Sequence, residues 1–354
     1  MRHARLGRSD LRVPRVVFGA WAIGGWGWGG ADDEASIRAV QASIEVGANA
    51  FDTAPVYGFG RSEEVLGRAI RGRRADVLLF TKVGLRWDDA RGDVAFDALD
   101  DRGVRRVVRR NARADSVRLE VERSLARLGV ETLDLVQVHW PDPRTPVAET
   151  MATLLDLRRE GKVREIGVSN FDVPLLRVAQ EALGAVPLAS TQPKYSLVAR
   201  DIERDVLPHC AREDIGVIVY SPLEQGLLTG RVGAARAFGE ADGRSRRATF
   251  RARNRALVNA ALELAAAPVA RAHAATLGQV AIAWVLAQRG VTAAIVGART
   301  AEQARENAAA AELDLSAPES DALRAAFESL PLDLTRAVSF SARIRGLVGR
   351  LLRR

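Results

Sequence analysis

The sequence predicts an α/β protein, a (β/α)8 TIM-type barrel with a short N-terminal β-hairpin and long rim loops. Three observations lead there. Eight short apolar runs alternate with amphipathic stretches along the 354 residues. Parallel neighbours need a helical crossover, so this alternation implies a parallel sheet. Eight such units in a chain of this size close most simply into a barrel. No stretch rich in Pro, Gly or Ser divides the chain, so residues 1–330 read as one barrel domain followed by a basic tail at 331–354.

Residues 4–14 read as a hairpin turning at Gly7-Arg8-Ser9-Asp10. Strands are expected at 16–21, 50–53, 77–82, 134–139, 163–168, 188–192, 216–221 and 291–297. In 33–46, Ile37, Val40 and Ile44 fall on one helical face. In 116–128, Val117, Val121, Leu125 and Leu128 do the same. Ser62, Ser116 and Thr300 sit where helix N-caps belong, and Gly47, Gly72 and Gly129 where helices stop. Residues 84–114 and 224–253 read as long polar loops on the catalytic rim.

Composition narrows the chemistry. A single cysteine, Cys210, excludes an internal disulfide framework and any cysteine-rich metal site. Four separated histidines (His3, His139, His209, His273) make no metal-spaced pair, so no metal is expected. No apolar run reaches the 18 or more residues of a membrane helix, and the opening MRHARLGRSD lacks the apolar core of a signal peptide. A cytoplasmic protein without membrane contact is the expectation. The formal charge of +8 invites a nucleic-acid reading. Yet the arginine clusters at 102–113, 244–255 and 343–354 carry few aromatics and no nucleic-acid motif, and read as solvated loops and tails. Of 52 basic residues only Lys82, Lys162 and Lys194 are lysines. Each is a candidate for a task that arginine cannot perform.

Gly25-Trp26-Gly27-Trp28-Gly29-Gly30 fits the G-x-G-x-x-G dinucleotide pattern. Physics argues against that use. Two tryptophans stand where backbone should approach a pyrophosphate, and Asp32, Asp33 and Glu34 would repel phosphates from the following helix. An aromatic loop over a pocket fits better.

At the ends of the expected strands stand Asp52, Lys82, His139, Ser169-Asn170, Gln192, Tyr220-Ser221 and Gly297, most of them polar. Active sites of barrels occupy this end. Tyr57 lies in the loop after Asp52. A tyrosine serves as general acid if a nearby ammonium lowers its pKa from about 10. A buried ammonium in turn needs a carboxylate. A neutral imidazole can orient a carbonyl oxygen. Asp52, Tyr57, Lys82 and His139 supply one of each.

At these residues the chain resembles the aldo-keto reductase family. The similarity is carried by Phe51-Asp52-Thr53-Ala54-Pro55-Val56-Tyr57-Gly58, by Thr81-Lys82, by Gln137-Val138-His139 and by Gly161 to Phe171. Tyr220-Ser221-Pro222-Leu223 and Gly297-Ala298-Arg299 continue it in order, so that it covers roughly residues 3 to 330. The phrases around Gly19 to Gly25 and Tyr57 to Gly60 are most similar to a bacterial branch with general-stress and inositol-operon members.

The resemblance implies reversible NADPH-dependent reduction of an aldehyde or ketone. Tyr57 would donate the proton, Lys82 would depress its pKa, Asp52 would pair with Lys82, and His139 would orient the carbonyl. The NADPH/NADP+ cofactor would lie extended across the barrel mouth beside Trp21. Tyr220 would stack on the nicotinamide, with Ser169, Asn170 and Gln192 on its carboxamide. Ser221, Leu223 and Gly226 would reach the pyrophosphate. Gly297, Arg299, Gln303, Glu306 and Asn307 would surround the adenosine 2′-phosphate and adenine, where Arg299 offers a fork of donors. Trp26, Trp28, Trp87 and Trp140 would line a pocket for a small-molecule carbonyl. Well-studied members carry a Lys-Ser pair where Gly297-Ala298 stands here, and many relatives have an acidic residue at Lys194. A monomer or weak homo-oligomer is expected. The alternative is an NADPH-binding regulatory protein of the potassium-channel β-subunit kind with only trace turnover.

Overall fold

The computed structural model describes residues 1–100, 102–239 and 242–335. Strands β1 (His3–Arg5) and β2 (Arg12–Pro14) form an antiparallel hairpin. Then follow β3 (Val16–Gly19), β4 (Ala50–Asp52), β5 (Leu78–Val83), β6 (Leu85–Arg86), β7 (Asp93–Leu99) and β8 (Arg105–Arg110). The set ends with β9 (Leu133–Val138), β10 (Val163–Ser169), β11 (Ser190–Gln192), β12 (Gly216–Tyr220) and β13 (Ala293–Gly297). Strands β3, β4, β5, β9, β10, β11, β12 and β13 pair in that order, all parallel, and β13 closes on β3. All eight expected strands are present, with ends within two residues of expectation.

Helices α1 (Asp33–Glu45), α2 (Arg61–Ala69), α3 (Ala114–Leu128), α4 (Val147–Arg159), α5 (Val173–Leu183) and α6 (Val206–Glu213) wrap the outside. After β12 come α7 (Ala252–Ala261), α8 (Ala267–Ala272) and α9 (Leu277–Ala287), then α10 (Ala301–Ala309) and α11 (Ala317–Glu328) after β13. Their apolar stripes meet the outward strand residues in one continuous core that includes Val40, Val117, Val121, Leu154, Leu176 and Trp284. Thr300 caps α10 as expected, accepting from the Gln303 amide.

The barrel interior has two layers. At the N-terminal end, Leu6, Leu11 and Val13 of the hairpin pack against Val17, Ala50, Phe80, Leu135 and Ile218. Gly216 is required there, because a Cβ on it would lie 2.5 Å from Leu6 Cδ1. Side chains alternate with a period of two along a strand. Two residues beyond Ala50, Phe80 and Leu135 therefore stand Asp52, Lys82 and Gln137, facing the same interior at the opposite end. The register is close: Lys82 pairs with Gln137, Gly167 with Gln137, and Ser169 with Gln192.

Several expectations are corrected. Residues 84–114 are not a plain loop, since β6, β8 and β7 form a three-stranded antiparallel sheet on the rim. Val108 and Leu85 are buried on its inner face, and Arg105–Asp97 (2.8 Å) ties its outer one. Ser62 is not a cap. Gly60 precedes α2, and the buried Ser62 hydroxyl links Thr53 Oγ1 and the Ala20 carbonyl, both at 2.8 Å. Ser116 also lies inside its helix, where its hydroxyl accepts from Arg86 at 2.9 Å. The 244–255 arginines are not simply solvated either. Arg255 is buried and donates to the carbonyls of Gly233 (2.8 Å) and Arg236 (2.7 Å), while Arg244 pairs with Asp242 (2.6 Å). The tail's first residues dock: Leu332 packs on the core, and Asp333 and Thr335 bond to Arg251. The rest of the tail, with the 343–354 arginine cluster, lies outside the described residues.

Candidate active site

The C-terminal ends of β4, β5 and β9 bring the expected four residues together. Lys82 Nζ donates to Asp52 Oδ1 at 2.5 Å and to the Thr53 carbonyl at 3.0 Å. Both ionic side chains are buried, so the pair needs its remaining atoms satisfied. Asp52 Oδ2 accepts from Gln192 Nε2 at 2.8 Å and from Gln137 Nε2 at 3.4 Å. The Lys82 ammonium lies 5.1 Å from the centroid of the Tyr57 ring. The Tyr57 and His139 rings meet edge to face with centroids 5.7 Å apart.

Burial sets the protonation of these groups. It pushes His139 well below the ordinary imidazole range, with the Lys82 charge adding to it, so the ring is neutral at neutral pH. It also lowers Lys82, partly offset by Asp52. For Tyr57 the expected depression does not occur. Burial first, and the Asp52 charge second, push the phenol well above its usual value. Tyr57 is therefore protonated at neutral pH.

The mouth above is aromatic. Trp21 lies 6.1 Å from Tyr57, 6.0 Å from Trp26 and 5.5 Å from Trp28, centroid to centroid. Trp26 stacks on Phe96 at 5.3 Å and meets Phe59, which continues to Trp87 at 5.6 Å. Trp140 does not join this arc. It is 38% exposed and pairs with Arg110, 6.0 Å away. Phe59 and Phe96 were missed in the sequence, Phe96 because the rim sheet itself was. Across the mouth, Gly243 donates to the Gly27 carbonyl (3.1 Å), Arg244 covers Trp28 and Arg247 covers Trp21.

Residues that could hold a dinucleotide line the neighbouring strand ends. Tyr220 donates to Asn170 Oδ1 (3.0 Å), and Asn170 Nδ2 donates to the His139 carbonyl (2.9 Å) and to Ser169 Oγ (3.0 Å). Asn170 and Ser221 hold left-handed backbone, φ 61° and 58°, a strain concentrated where the chain leaves β10 and β12. A Cβ added at Gly226 would meet Arg244 Nη1 at 3.9 Å, and one at Gly297 the Gly19 carbonyl at 3.6 Å, both ordinary contacts. The indole Nε1 atoms of Trp21 and Trp28 are buried without partners among the described residues. Such unsatisfied donors suit a ligand that brings hydrogen-bond acceptors. Leu223 opens the turn that carries Gly226. Gln303, Glu306 and Asn307 lie on α10, where Asn307 donates to the Gly297 carbonyl (3.1 Å) and Glu306 accepts from Thr276 (2.9 Å). Arg299 donates to the carbonyls of Gly30 (3.0 Å) and Trp28 (3.5 Å). Lys194, unexplained in the sequence, pairs with buried Glu224 at 2.7 Å.

A closed barrel with a buried Asp–Lys pair beneath a tyrosine and a neutral histidine defines a carbonyl-handling oxidoreductase site. The chain belongs to the Aldo/keto reductase family, whose profile matches residues 15–328. It is 37% identical over 336 residues to the NADH-specific methylglyoxal reductase of Escherichia coli, covering 93% of this chain and 99% of that one. It is 35% identical to the aldo-keto reductase YhdN of Bacillus subtilis, covering 84% and 85%. Among solved structures, the glycerol dehydrogenase AKR11B4 of Gluconobacter oxydans superposes with a TM-score of 0.82 at 36% identity, covering 95% of this chain and 98% of that one.

Proposed function

We propose that this oxidoreductase reduces a small aldehyde or ketone to the alcohol, with NADPH as reductant and Tyr57 as proton donor. The observation that carries the reading is the Asp52–Lys82 pair set under Tyr57. When bound, the nicotinamide supplies the hydride. Tyr57 gives its proton to the substrate oxygen, and the Lys82 ammonium stabilises the phenolate left behind. Asp52 keeps that ammonium charged in a dry site, while Gln137 and Gln192 hold the carboxylate's far oxygen. Neutral His139 orients the carbonyl. Tyr220, Ser169, Asn170, Ser221, Leu223 and Gly226 hold the cofactor at the strand ends, with Trp21 beside them. Gly297, Arg299, Gln303, Glu306 and Asn307 take its adenosine end. Gln192, tied to Asp52, serves the charge network as well as the carboxamide. The pocket formed by Trp26, Trp28 and Trp87 suits a small carbonyl compound, in keeping with the methylglyoxal and glycerol named for relatives. Residues 1–330 act as one barrel unit.

Use of NADH is a second reading, favoured by the engagement of Arg299 with two backbone carbonyls and by the cofactor named for the Escherichia coli relative. Titration of Arg299→Ala with both cofactors decides between them. On the NADPH reading its affinity falls by about ten- to a hundredfold while that for NADH holds. Equal affinities before and after substitution place Arg299 outside the phosphate site, and tighter wild-type binding of NADH than of NADPH then favours NADH as the reductant.

A further inference from the structure

Outside the barrel mouth, a cavity of about 970 Å3 opens between α2, the C-terminal end of α3 and the rim sheet. Its volume is that of a small-molecule site. Phe59 and Trp87 form part of its wall, edge to face at 5.6 Å. Arginines dominate the rest, with Arg61 and Arg68 on α2 and Arg71 and Arg74 in the chain just beyond it.

The carboxylates nearby do not balance them. Asp33 is shared by Arg61 and Arg68, so one acid serves two guanidinium groups. Asp88 is likewise shared by Arg86 and Arg123. Arg74 shares buried Asp134, at 2.8 Å, with Arg164. Arg71 has no ion pair among the described residues. Arg127 is matched by Glu63 at 2.6 Å, and Arg106 by Asp100 at 2.9 Å. Glu64 subtracts one charge from the cavity wall. A positive surplus remains, held on side chains whose guanidinium forks match phosphate oxygens. Positive walls together with two aromatic rings call for a ligand that is anionic in one part and flat in another.

We propose that this cavity is a second ligand site, distinct from the catalytic mouth, that takes a nucleoside polyphosphate. Its phosphates lie along Arg68 and Arg71, and its base packs against Trp87 and Phe59. Phe59 holds left-handed backbone, φ 57°, and also touches Trp26 of the mouth. The site thus abuts the catalytic pocket and has Trp87 as a common wall, without sharing its polar groups.

Calorimetric titration of the full chain with GTP tests this without any turnover. Wild type binds one equivalent, and Arg68→Glu/Arg71→Glu weakens that binding by at least about tenfold. The same double variant retains its NADPH affinity and carbonyl reduction, because neither arginine touches the catalytic groups. Arg299→Ala leaves GTP binding unchanged. Three results overturn the proposal: no GTP binding at millimolar concentration, equal binding by the double glutamate variant, or loss of binding in Arg299→Ala with competition by NADPH. The last outcome would assign GTP to the cofactor site. Failure of carbonyl reduction in wild type bears only on the proposed function.

Discussion

At the N-terminal end of the barrel, Phe80 and Leu135 lie among Leu6, Leu11 and Val13. Two residues further along the same strands, Lys82 and Gln137 surround a buried carboxylate. The first layer is apolar and its atoms need only shape. The second is charged, and each donor there needs a named acceptor. Of the seven non-glycine residues with left-handed backbone among the described residues, Phe59, Asn170, Ser221, Glu224 and Gln225 stand in the connections at the second end, while Asp214 leads into β12 at the first and Ala274 joins α8 to α9. Stability and chemistry are thus separated by one strand repeat, which lets the loops vary chemistry without dissolving the core.

If the division holds, damage at one end should spare the other. The largest effect is expected from Phe80→Ala. Removing a fully buried ring costs about 3–5 kcal/mol of stability. Denaturation should show that loss while kcat per folded molecule stays near wild type. A well-folded Phe80→Ala enzyme without activity would break the comparison.

Lys82→Arg reverses the pattern. The fold and cofactor binding should survive, but turnover should fall by about a hundredfold, because a planar guanidinium cannot sit between Asp52 and Tyr57 as a compact ammonium does. The pH profile adds a signed check. Burial lowers Lys82 below its ordinary 10.5, so wild-type activity that needs the ammonium is lost at an alkaline pH below that value. An arginine stays charged, and the alkaline limb should move upward. Near-normal turnover would show that any cation suffices, and an unmoved limb would show that Lys82 does not set it.

The smallest effect is expected in the wall between the two ends. Glu120 of α3 is buried and accepts from the Gly84 amide at 3.0 Å, two residues beyond Lys82. Burial pushes its carboxyl from 4.5 up to about 8, against the pull of that amide. The folded state therefore binds the proton more tightly than the unfolded chain. This contribution is fully present below pH 4.5 and is lost as pH rises through about 8. Glu120→Gln should flatten that decline, seen as a smaller drop in Tm between pH 6 and pH 9. An identical drop in both proteins would remove Glu120 from the account.

How much of this was legible depends on range. The eight strands were readable because each is a short apolar run, most of them ending at or beside a polar residue. Asp52, Tyr57, Lys82 and His139 were readable because each stands at or beside such an end. The rim sheet was not: Arg105-Arg106-Val107-Val108-Arg109-Arg110 looks like a charged loop until Asp97 and Asp100 face it. Ser62 and Ser116 look like caps because a buried hydroxyl and a capping one share a sequence signature. The contacts of Gln137 and Gln192 with Asp52 join residues 85 and 140 positions apart. Only barrel closure creates them. The upward shift of Tyr57 was likewise hidden, since burial belongs to the packed site and not to the residue list.

The central claim is that the Tyr57 hydroxyl supplies the proton. Tyr57→Phe deletes one oxygen and keeps the ring that packs near Trp21 and His139. Single-turnover carbonyl reduction, measured beside NADPH binding on the same preparation, tests it directly. The account predicts a rate at least about a hundredfold lower, with cofactor affinity nearly unchanged. A variant that keeps more than about a tenth of the wild-type rate would contradict it, because general acid catalysis is typically worth more than that.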